Sequence, residues 1–188
     1  MDEFYELEFI GRGGQGAKTA AELVAKIALN NGKFVQSFPD YGPERKGAPV
    51  RAFTRISDKE IRGCSSEANP DVLIIIDPTL LPLNGTLFNI TSDMTVVINS
   101  SDDAETLKKR FNTQGKIYSV DATKIAFDIL KANITNSAML GALAKVNTVI
   151  TLEGLKEEFR KEFEEKLGQE KIQQNYQAIE KAYNAVKL

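Results

Sequence analysis

The fold class is decided by one short stretch of the chain, Val72-Leu73-Ile74-Ile75-Ile76, which Asp77-Pro78 ends. Five aliphatic residues in a row predict a strand that is buried on both faces, as in a sheet that helices cover on each side. Residues 95–98 and 116–120 have the character of similar short strands, and helical patterns alternate with them. Strands that alternate with helices indicate an α/β fold with a mostly parallel sheet.

The N-terminal half and the middle of the chain carry further strand and helix patterns. The predicted strands here are residues 7–10, 34–38 and 50–56. The predicted helices are residues 16–31, residues 102–111 after a cap region at residues 99–101, a helix that Asp121 caps, and residues 137–146. Gly32 stands where the end of the first helix needs a residue that tolerates a left-handed conformation.

The C-terminal part differs in composition from the rest. Residues 151–188 are rich in Glu and Lys, and they carry two apolar stripes at helical spacing that Gly168 separates. This pattern predicts two amphipathic helices whose charged faces are solvated. We therefore predict an α/β domain over residues 1–150 and a helical extension over residues 151–188, packed on it or beside it.

The composition excludes several kinds of enzyme chemistry. The 188 residues include no His, no Trp and a single Cys. Without His the chain cannot build a Ser-His-Asp or Cys-His arrangement, and one Cys cannot hold an iron–sulfur cluster, which needs about four thiolates. If the chain does chemistry alone, it must use Asp, Glu, Lys, Tyr, Cys64 or backbone groups. A small loop position is the expectation for Cys64, rather than a reactive thiol.

Charge and hydropathy predict a cytoplasmic protein without nucleic-acid or membrane partners. Lys and Arg number 24 and Asp and Glu number 26, which gives a net charge of −2 and no electrostatic reason for binding nucleic acid. The longest aliphatic run has the five residues 72–76, whereas a membrane-spanning helix needs about 20 apolar residues. The N-terminus is acidic and lacks a signal-peptide core, and the low Cys content fits a reducing compartment.

A glycine loop, Gly11-Arg12-Gly13-Gly14-Gln15-Gly16, follows the first predicted strand and precedes the first predicted helix. Glycines allow positive φ and close approach of a ligand, and a helix N-terminus offers free N–H groups to an anion. A dinucleotide site also needs an acidic residue about 20 positions further on. That position is Gln36, and Asp40 comes only after Pro39. A tight packing turn, an anion contact and a dinucleotide site all remain open interpretations.

A second loop is too specific in composition to be a generic linker. It consists of Phe38-Pro39-Asp40-Tyr41-Gly42-Pro43-Glu44-Arg45-Lys46-Gly47-Ala48-Pro49-Val50-Arg51. Its prolines are rigid and its glycines are permissive, so the loop is expected to present Glu44, Arg45 and Lys46 at fixed angles. Two interpretations stay open: the charges are simply solvated, or the loop docks a partner or contacts an anion.

Together with Asp77-Pro78 and Asn136-Ser137-Ala138-Met139-Leu140-Gly141, the two loops closely resemble the gamma subunit of pyruvate and related 2-oxoacid:ferredoxin oxidoreductases. The resemblance covers essentially the whole chain, from Leu7 to about Tyr183. It implies a Rossmann-like, three-layer α/β domain with a mostly parallel sheet and C-terminal amphipathic helices. It also implies a multisubunit enzyme that oxidises a 2-oxoacid with coenzyme A and ferredoxin, giving an acyl-CoA, carbon dioxide and reduced ferredoxin.

The resemblance also implies partners and cofactors. The partners are alpha, beta and delta type subunits, with ferredoxin as the acceptor of the complex. The complex uses thiamine pyrophosphate, magnesium, [4Fe-4S] clusters and coenzyme A, and this chain alone binds none of them. The chain departs from the family at Ala17-Lys18, where aliphatic residues are more common, so Lys18 could add a cation near the glycine loop. Pyruvate is the expected 2-oxoacid, but the sequence does not identify it.

The expected role is therefore that of a non-redox subunit that supports assembly and contacts coenzyme A, without a catalytic residue or metal ligand of its own. The alternative is a freestanding nucleotide-binding oxidoreductase that uses the glycine loop; a third is a purely structural scaffold. The candidate ligand- or interface-contact residues are Gly11, Arg12, Gly13, Gly14, Gln15, Gly16, Tyr41, Gly42, Pro43, Glu44, Arg45, Lys46, Gly47 and Asn136.

Overall fold

The computed structural model describes residues 4–41, 47–63, 70–80 and 90–187. In these parts the chain forms β-strands and α-helices. The elements are β1 (Tyr5–Arg12), α1 (Ala17–Asn30), β2 (Phe34–Tyr41), β3 (Pro49–Ser57), β4 (Val72–Ile75), β5 (Thr95–Asn99), α2 (Ala104–Phe111), β6 (Lys116–Val120), α3 (Ala122–Leu130), α4 (Asn136–Val146) and α5 (Leu152–Ala185).

The strands form one sheet in the order β2-β3-β1-β4-β5-β6. The pairs β1–β4, β4–β5 and β5–β6 are parallel, whereas β3 runs antiparallel to both β1 and β2. The predicted mostly parallel α/β sheet is confirmed. The antiparallel β2–β3 hairpin at one edge is an addition that the local sequence pattern does not reveal.

Helices cover both faces of the sheet, and β4 shows this most clearly. Val72 and Ile74 pack into a core cluster with residues of α1, α4 and α5. Leu73 and Ile75 face the opposite side and pack into a second cluster with Leu107 of α2. Since alternate residues of a strand point to opposite faces, an all-aliphatic strand is what a sheet between two helical layers requires.

The predicted ends of the second loop and the predicted start of α2 are wrong. The second loop is shorter than predicted, because β2 continues to Tyr41 and β3 begins at Pro49. Pro39 is accommodated within β2 because β2 is the edge strand of the sheet, where a missing N–H donor need not break a ladder. Helix α2 begins at Ala104 rather than at residue 102, because the carboxylate of Asp103 caps it by accepting a hydrogen bond from the Thr106 amide.

The C-terminal helices are two segments that meet at Gly168. Gly168 has φ 77° and ψ 163°, which breaks the helical path of α5 as predicted. The second segment folds back along the first. This is shown by the Tyr176 hydroxyl, which donates a hydrogen bond of 2.8 Å to the Lys156 carbonyl. Leu155 and Ile179, one from each segment, belong to the core cluster that contains α1. The division of the chain at residue 150 stays a prediction.

Candidate functional site

The adjacent parallel strands β1 and β4 end at a point where the chain leaves the sheet in opposite directions. After β1, Ala17 of α1 packs into the core cluster on one face. After β4, Leu80 packs into the cluster on the other face. In open α/β sheets the crevice beyond the carboxyl ends of two such strands is the usual place for a ligand. The glycine loop and Asp77 both lie there.

The glycine loop turns tightly before α1. Gly14 and Gly16 have φ values of 98° and 84°, a left-handed conformation that favours glycine. Gly16 is the N-cap of α1 and has no side chain, so the amides of the first helical turn receive no side-chain cap hydrogen bond. A helix N-terminus with free amides attracts anions. The geometry of the glycine loop therefore suits an anion-binding site as well as a tight packing turn.

Arg12 connects the glycine loop to two other segments. Its Nε donates to Asp77 Oδ2 at 3.2 Å, its Nη2 to Thr79 Oγ1 at 3.1 Å, and its Nη1 to the Gly47 carbonyl at 3.3 Å. Its guanidinium therefore ties the end of β1 to the end of β4 and to the β2–β3 hairpin. The side chain is 34% exposed, so it is half-buried among these partners.

Gln15 completes this connection. Its Nε2 donates to Asp77 Oδ2 at 2.8 Å, and its Oε1 accepts the Arg12 amide N–H at 2.6 Å. The other carboxylate oxygen of Asp77 accepts from the Thr79 amide and hydroxyl, at 3.0 and 2.6 Å. Burial opposes ionisation of Asp77, but the hydrogen bonds from Thr79 and Gln15 and the nearby Arg12 charge outweigh it and lower the pKa of Asp77.

Asn136, at the start of α4, lies against Gly16. A Cβ atom at Gly16 would come within 2.6 Å of Asn136 Nδ2, so the two residues touch only because position 16 is glycine. The predicted candidates Gly16 and Asn136 are thus brought together, although 120 residues separate them in the sequence. Lys18, in contrast, is not directed into the loop, because its ammonium lies 3.6 Å from Glu22 on the exposed face of α1.

A groove of about 440 Å³ opens beside the glycine loop, between it and α5. Gly14, Gly16 and Thr19 form one wall, and apolar side chains of the end of α3, of the α3–α4 connection and of α5 form the other. Those apolar residues are Leu130, Ile134, Phe159, Phe163 and Leu167. Lys171 and Asn175 add a cation and an amide, and Ser137 donates a hydrogen bond of 2.6 Å to Asn175 Oδ1. The groove can hold an elongated ligand with apolar and anionic parts.

The second loop lies at the same edge of the sheet as the glycine loop. Tyr41 and Gly11 both pair with Val50, which places the ends of β1 and β2 at one level. The Gly13 amide donates to the Ala48 carbonyl at 3.0 Å, so the hairpin and the glycine loop are in contact. The candidates Gly42, Pro43, Glu44, Arg45 and Lys46 lie outside the described residues, as does Cys64.

Asp77 and Thr79 were not among the predicted site residues. The available signal was their position, since an Asp-Pro pair directly follows the most strongly predicted strand and the ends of parallel strands share one edge. Lys171 was also missed, because nothing in an amphipathic helical pattern marks one exposed lysine among many.

The sheet topology disfavours a dinucleotide site. In the dinucleotide-binding fold the second strand lies beside the first and ends in an acid that binds the ribose. Here the antiparallel β3 lies between β1 and β2. Gln36, at the expected position of the acid, instead donates a hydrogen bond of 3.3 Å to the Ile61 carbonyl.

Two further properties of the described ranges bear on function. None of the helices in them is both long and apolar enough to cross a membrane. No cluster of three or more His, Cys, Asp or Glu side chains suited to a metal ion occurs in these same ranges.

Comparison with known proteins assigns the family. A family model described as pyruvate ferredoxin/flavodoxin oxidoreductase matches residues 6–185. Pyruvate synthase subunit PorC of Thermotoga maritima is 43% identical over 185 residues, which cover 98% of this chain and 96% of the relative. The pyruvate/ketoisovalerate oxidoreductases common subunit gamma of Thermococcus kodakarensis is 43% identical over 180 residues, 95% of each chain.

Solved structures agree with the sequence relatives. The crystal structure of the pyruvate oxidoreductase subunit PORC (EC 1.2.7.1) from Thermotoga maritima matches with a TM-score of 0.85 at 40% identity, over 99% of this chain and 98% of the other. The 2-oxoglutarate:ferredoxin oxidoreductase from Magnetococcus marinus shares the fold at 20% identity, with a TM-score of 0.80, over 98% of this chain and 31% of that one. The chain therefore belongs to the pyruvate ferredoxin/flavodoxin oxidoreductase family, as the gamma subunit of a pyruvate or related 2-oxoacid:ferredoxin oxidoreductase.

Proposed function

We propose that the glycine loop of this gamma subunit contacts the polyphosphate end of coenzyme A within an assembled pyruvate:ferredoxin oxidoreductase. The observation that carries the proposal is the uncapped N-terminus of α1 at Gly16, which opens on the groove described above. Oriented backbone amides and a helix dipole favour a phosphate at such a position.

The groove supports this assignment in two ways. Its apolar wall, which includes Phe163 and Leu167, suits the uncharged chain that follows the phosphates of coenzyme A. Lys171 adds a positive charge to the same groove. The Magnetococcus marinus enzyme, which shares this fold, binds coenzyme A and succinyl-CoA in its solved structure.

We further propose that the redox cofactors belong to other chains of the complex. One Cys and no His leave this chain without the ligands of an iron–sulfur cluster. Alpha, beta and delta type subunits would then carry thiamine pyrophosphate, magnesium and [4Fe-4S] clusters, ferredoxin would accept the electrons, and the complex would work in the cytoplasm. The contribution of this chain is assembly and the binding of coenzyme A.

The coenzyme A contact is tested with Gly14→Ala in the reconstituted complex. A Cβ at Gly14 meets no atom within 4 Å, so the change adds a methyl group and backbone strain to the loop without a clash. We expect the KM for coenzyme A to rise about tenfold while the KM for pyruvate stays the same. Gly32→Ala is the matched control, because Gly32 also has a positive φ and an open Cβ position but lies at the far end of α1. An unchanged KM for coenzyme A in Gly14→Ala would contradict the proposal.

The second loop is tested separately. We propose that Arg45 and Lys46 contact the phosphates of coenzyme A or a partner subunit. Replacing both with Ala is expected to raise the coenzyme A requirement or to weaken assembly, which enzyme assays and size-exclusion chromatography of the complex distinguish. A complex with normal assembly and normal coenzyme A kinetics would exclude both roles.

A further inference from the structure

We propose that Asp77 is a positioning residue for the glycine loop, and that Arg12 and Gln15 hold the loop in place by bonding it. The inference deepens the proposed contact with coenzyme A and rests on it for its functional consequence. It gives a positioning role to two side chains that the sequence pattern presents only as contact residues.

The first step is the bonding of Gln15. One end of its amide group accepts the backbone N–H of Arg12, within the loop itself, and the other end donates to Asp77 Oδ2. The side chain therefore connects the loop backbone to the end of β4 through hydrogen bonds. Both of its polar atoms bond the protein, which fixes the orientation of the amide group.

The second step is the bonding of Arg12. Each of its three guanidinium nitrogens donates to a different protein oxygen, on Asp77, Thr79 and Gly47. These three bonds fix the plane of the guanidinium between the ends of β1 and β4 and the hairpin, and they leave two of its five N–H groups unused. The amides of the first turn of α1 receive no side-chain cap hydrogen bond and are open to an anion.

The third step is the polarity of the contact between Gln15 and Asp77. It joins one N–H donor to one carboxylate acceptor, next to the positive charge of Arg12. Asp77→Asn leaves one acceptor oxygen where Gln15, Arg12 and Thr79 all donate, and Gln15→Glu places two carboxylates at hydrogen-bond distance. The double exchange restores one donor and one acceptor between positions 15 and 77 and keeps one carboxylate beside Arg12, but it does not restore the bond from Arg12 Nε. If Asp77 and Gln15 position the loop together, the double variant should therefore recover part of the loss in each single variant.

The experiment uses the reconstituted complex with Asp77→Asn, Gln15→Glu and the double variant. Hydrogen–deuterium exchange of the peptide over residues 11–17, without coenzyme A, measures the order of the loop directly. We expect faster exchange in each single variant, a KM for coenzyme A raised about tenfold with kcat changed less than about twofold, and return of both toward wild type in the double variant. Asp58→Asn, which removes an exposed carboxylate paired with Lys33, is the control and should change neither quantity.

The outcomes separate this inference from the proposed function. Faster exchange of the loop with an unchanged KM for coenzyme A supports the positioning role and contradicts the coenzyme A contact. Unchanged exchange in the single variants, or a double variant whose defects add, overturns the positioning role. If the charge variants do not assemble, Thr79→Val removes only the hydroxyl that bonds Arg12 and Asp77, and normal exchange in that variant also overturns the inference.

Discussion

Asp77 keeps its charge at the end of β4 against the effect of burial. Burial raises the pKa of a carboxyl group, whereas hydrogen bonds to the ionised form and a nearby cation lower it. At Asp77 the bonds from Thr79 and Gln15, together with Arg12, exceed the burial effect, and the pKa is lowered. The charge is therefore coupled to the folded arrangement of the glycine loop.

The lowered pKa of Asp77 predicts a pH dependence of stability. An unfolded Asp has a pKa of about 3.9, so the stabilising contribution is fully present above that pH and is lost as the pH falls through the lower, folded pKa. We expect the difference in Tm between wild type and Asp77→Asn to be constant from about pH 7 to 5 and to shrink below about pH 4. Thermal unfolding across this range checks it, and a difference that grows on acidification would contradict it.

Gly16 and Asn136 provide a second prediction at the scale of single residues. Gly14→Ala carries the strain of a left-handed residue, about 1–2 kcal/mol, whereas Gly16→Ala adds a clash with Asn136. We expect Gly16→Ala to lower the free energy of unfolding more than Gly14→Ala, and Asn136→Ala to recover part of that loss. Chemical denaturation of the single and double variants measures the coupling. Purely additive losses would show that the two residues do not interact.

Local sequence predicted that Arg12 and Gln15 belong to a functional loop, but it could not predict their partners. Arg12 and Gln15 bond Asp77 across separations of 65 and 62 residues. Glycine spacing and helix-start patterns are local signals, whereas these hydrogen bonds exist only once β1 and β4 pair.

At the scale of elements, the crossing of α4 and α5 depends on a small residue. A Cβ at Gly141 would lie 2.2 Å from the backbone carbonyl oxygen of Ile179, and that oxygen belongs to the facing helix. Backbone cannot move aside as a side chain can, so the two helices approach closely only because position 141 is glycine. The small residue at this position of α4 therefore sets how closely α5 can approach.

We predict that Gly141→Ala destabilises the chain by about 2 kcal/mol, the upper end of the overpacking cost less the helical gain. Within a helix, Gly to Ala normally stabilises by up to about 1 kcal/mol, but overpacking at this crossing costs about 1–3 kcal/mol and separates the helices. Chemical denaturation measures the change in the free energy of unfolding. Lys124→Ala, on the exposed face of α3, is the control and should change it by less than about 0.5 kcal/mol. A stabilised Gly141→Ala variant would show that α5 can shift freely.

For the β2–β3 hairpin, the sequence predicted the two strands but not their pairing in the sheet. Residues 34–38 and 50–56 were both predicted as strands, because their apolar and β-branched residues are a local signal. The insertion of β3 between β1 and β2 in antiparallel direction was not predicted, because strand pairing depends on contacts that are distant in sequence. This insertion is what brings Gly47 and Ala48 against the glycine loop.

At the scale of the whole molecule, the fold gathers three segments at one edge of the sheet. The glycine loop, the end of β4 and the base of the hairpin meet there, and α4 and α5 close the groove beside them. An edge built from several segments can present binding groups from all of them to one ligand.

The corresponding prediction is that activity belongs only to the complex. We expect the isolated chain to show no oxidation of 2-oxoacids, because it cannot ligate a redox cluster, and no micromolar binding of NADH, NADPH or FAD. Omission of the chain from a reconstituted complex should abolish coenzyme A-dependent turnover. Ferredoxin reduction assays and fluorescence titrations check both expectations. Full activity without the chain, or tight nucleotide binding by the chain alone, would contradict the proposed role.

The sequence by itself determined the α/β class, the order of most helices and strands, the break at Gly168 and the membership of the oxidoreductase family. These features rest on periodicity, on composition and on short motifs, all of which are local. The tertiary structure alone decided the antiparallel insertion of β3, the meeting of Gly16 with Asn136, and the engagement of Arg12 and Gln15 by Asp77. Hydrogen bonds and close packing depend on distances of a few ångströms between residues far apart in the chain, and only the folded sheet sets those distances.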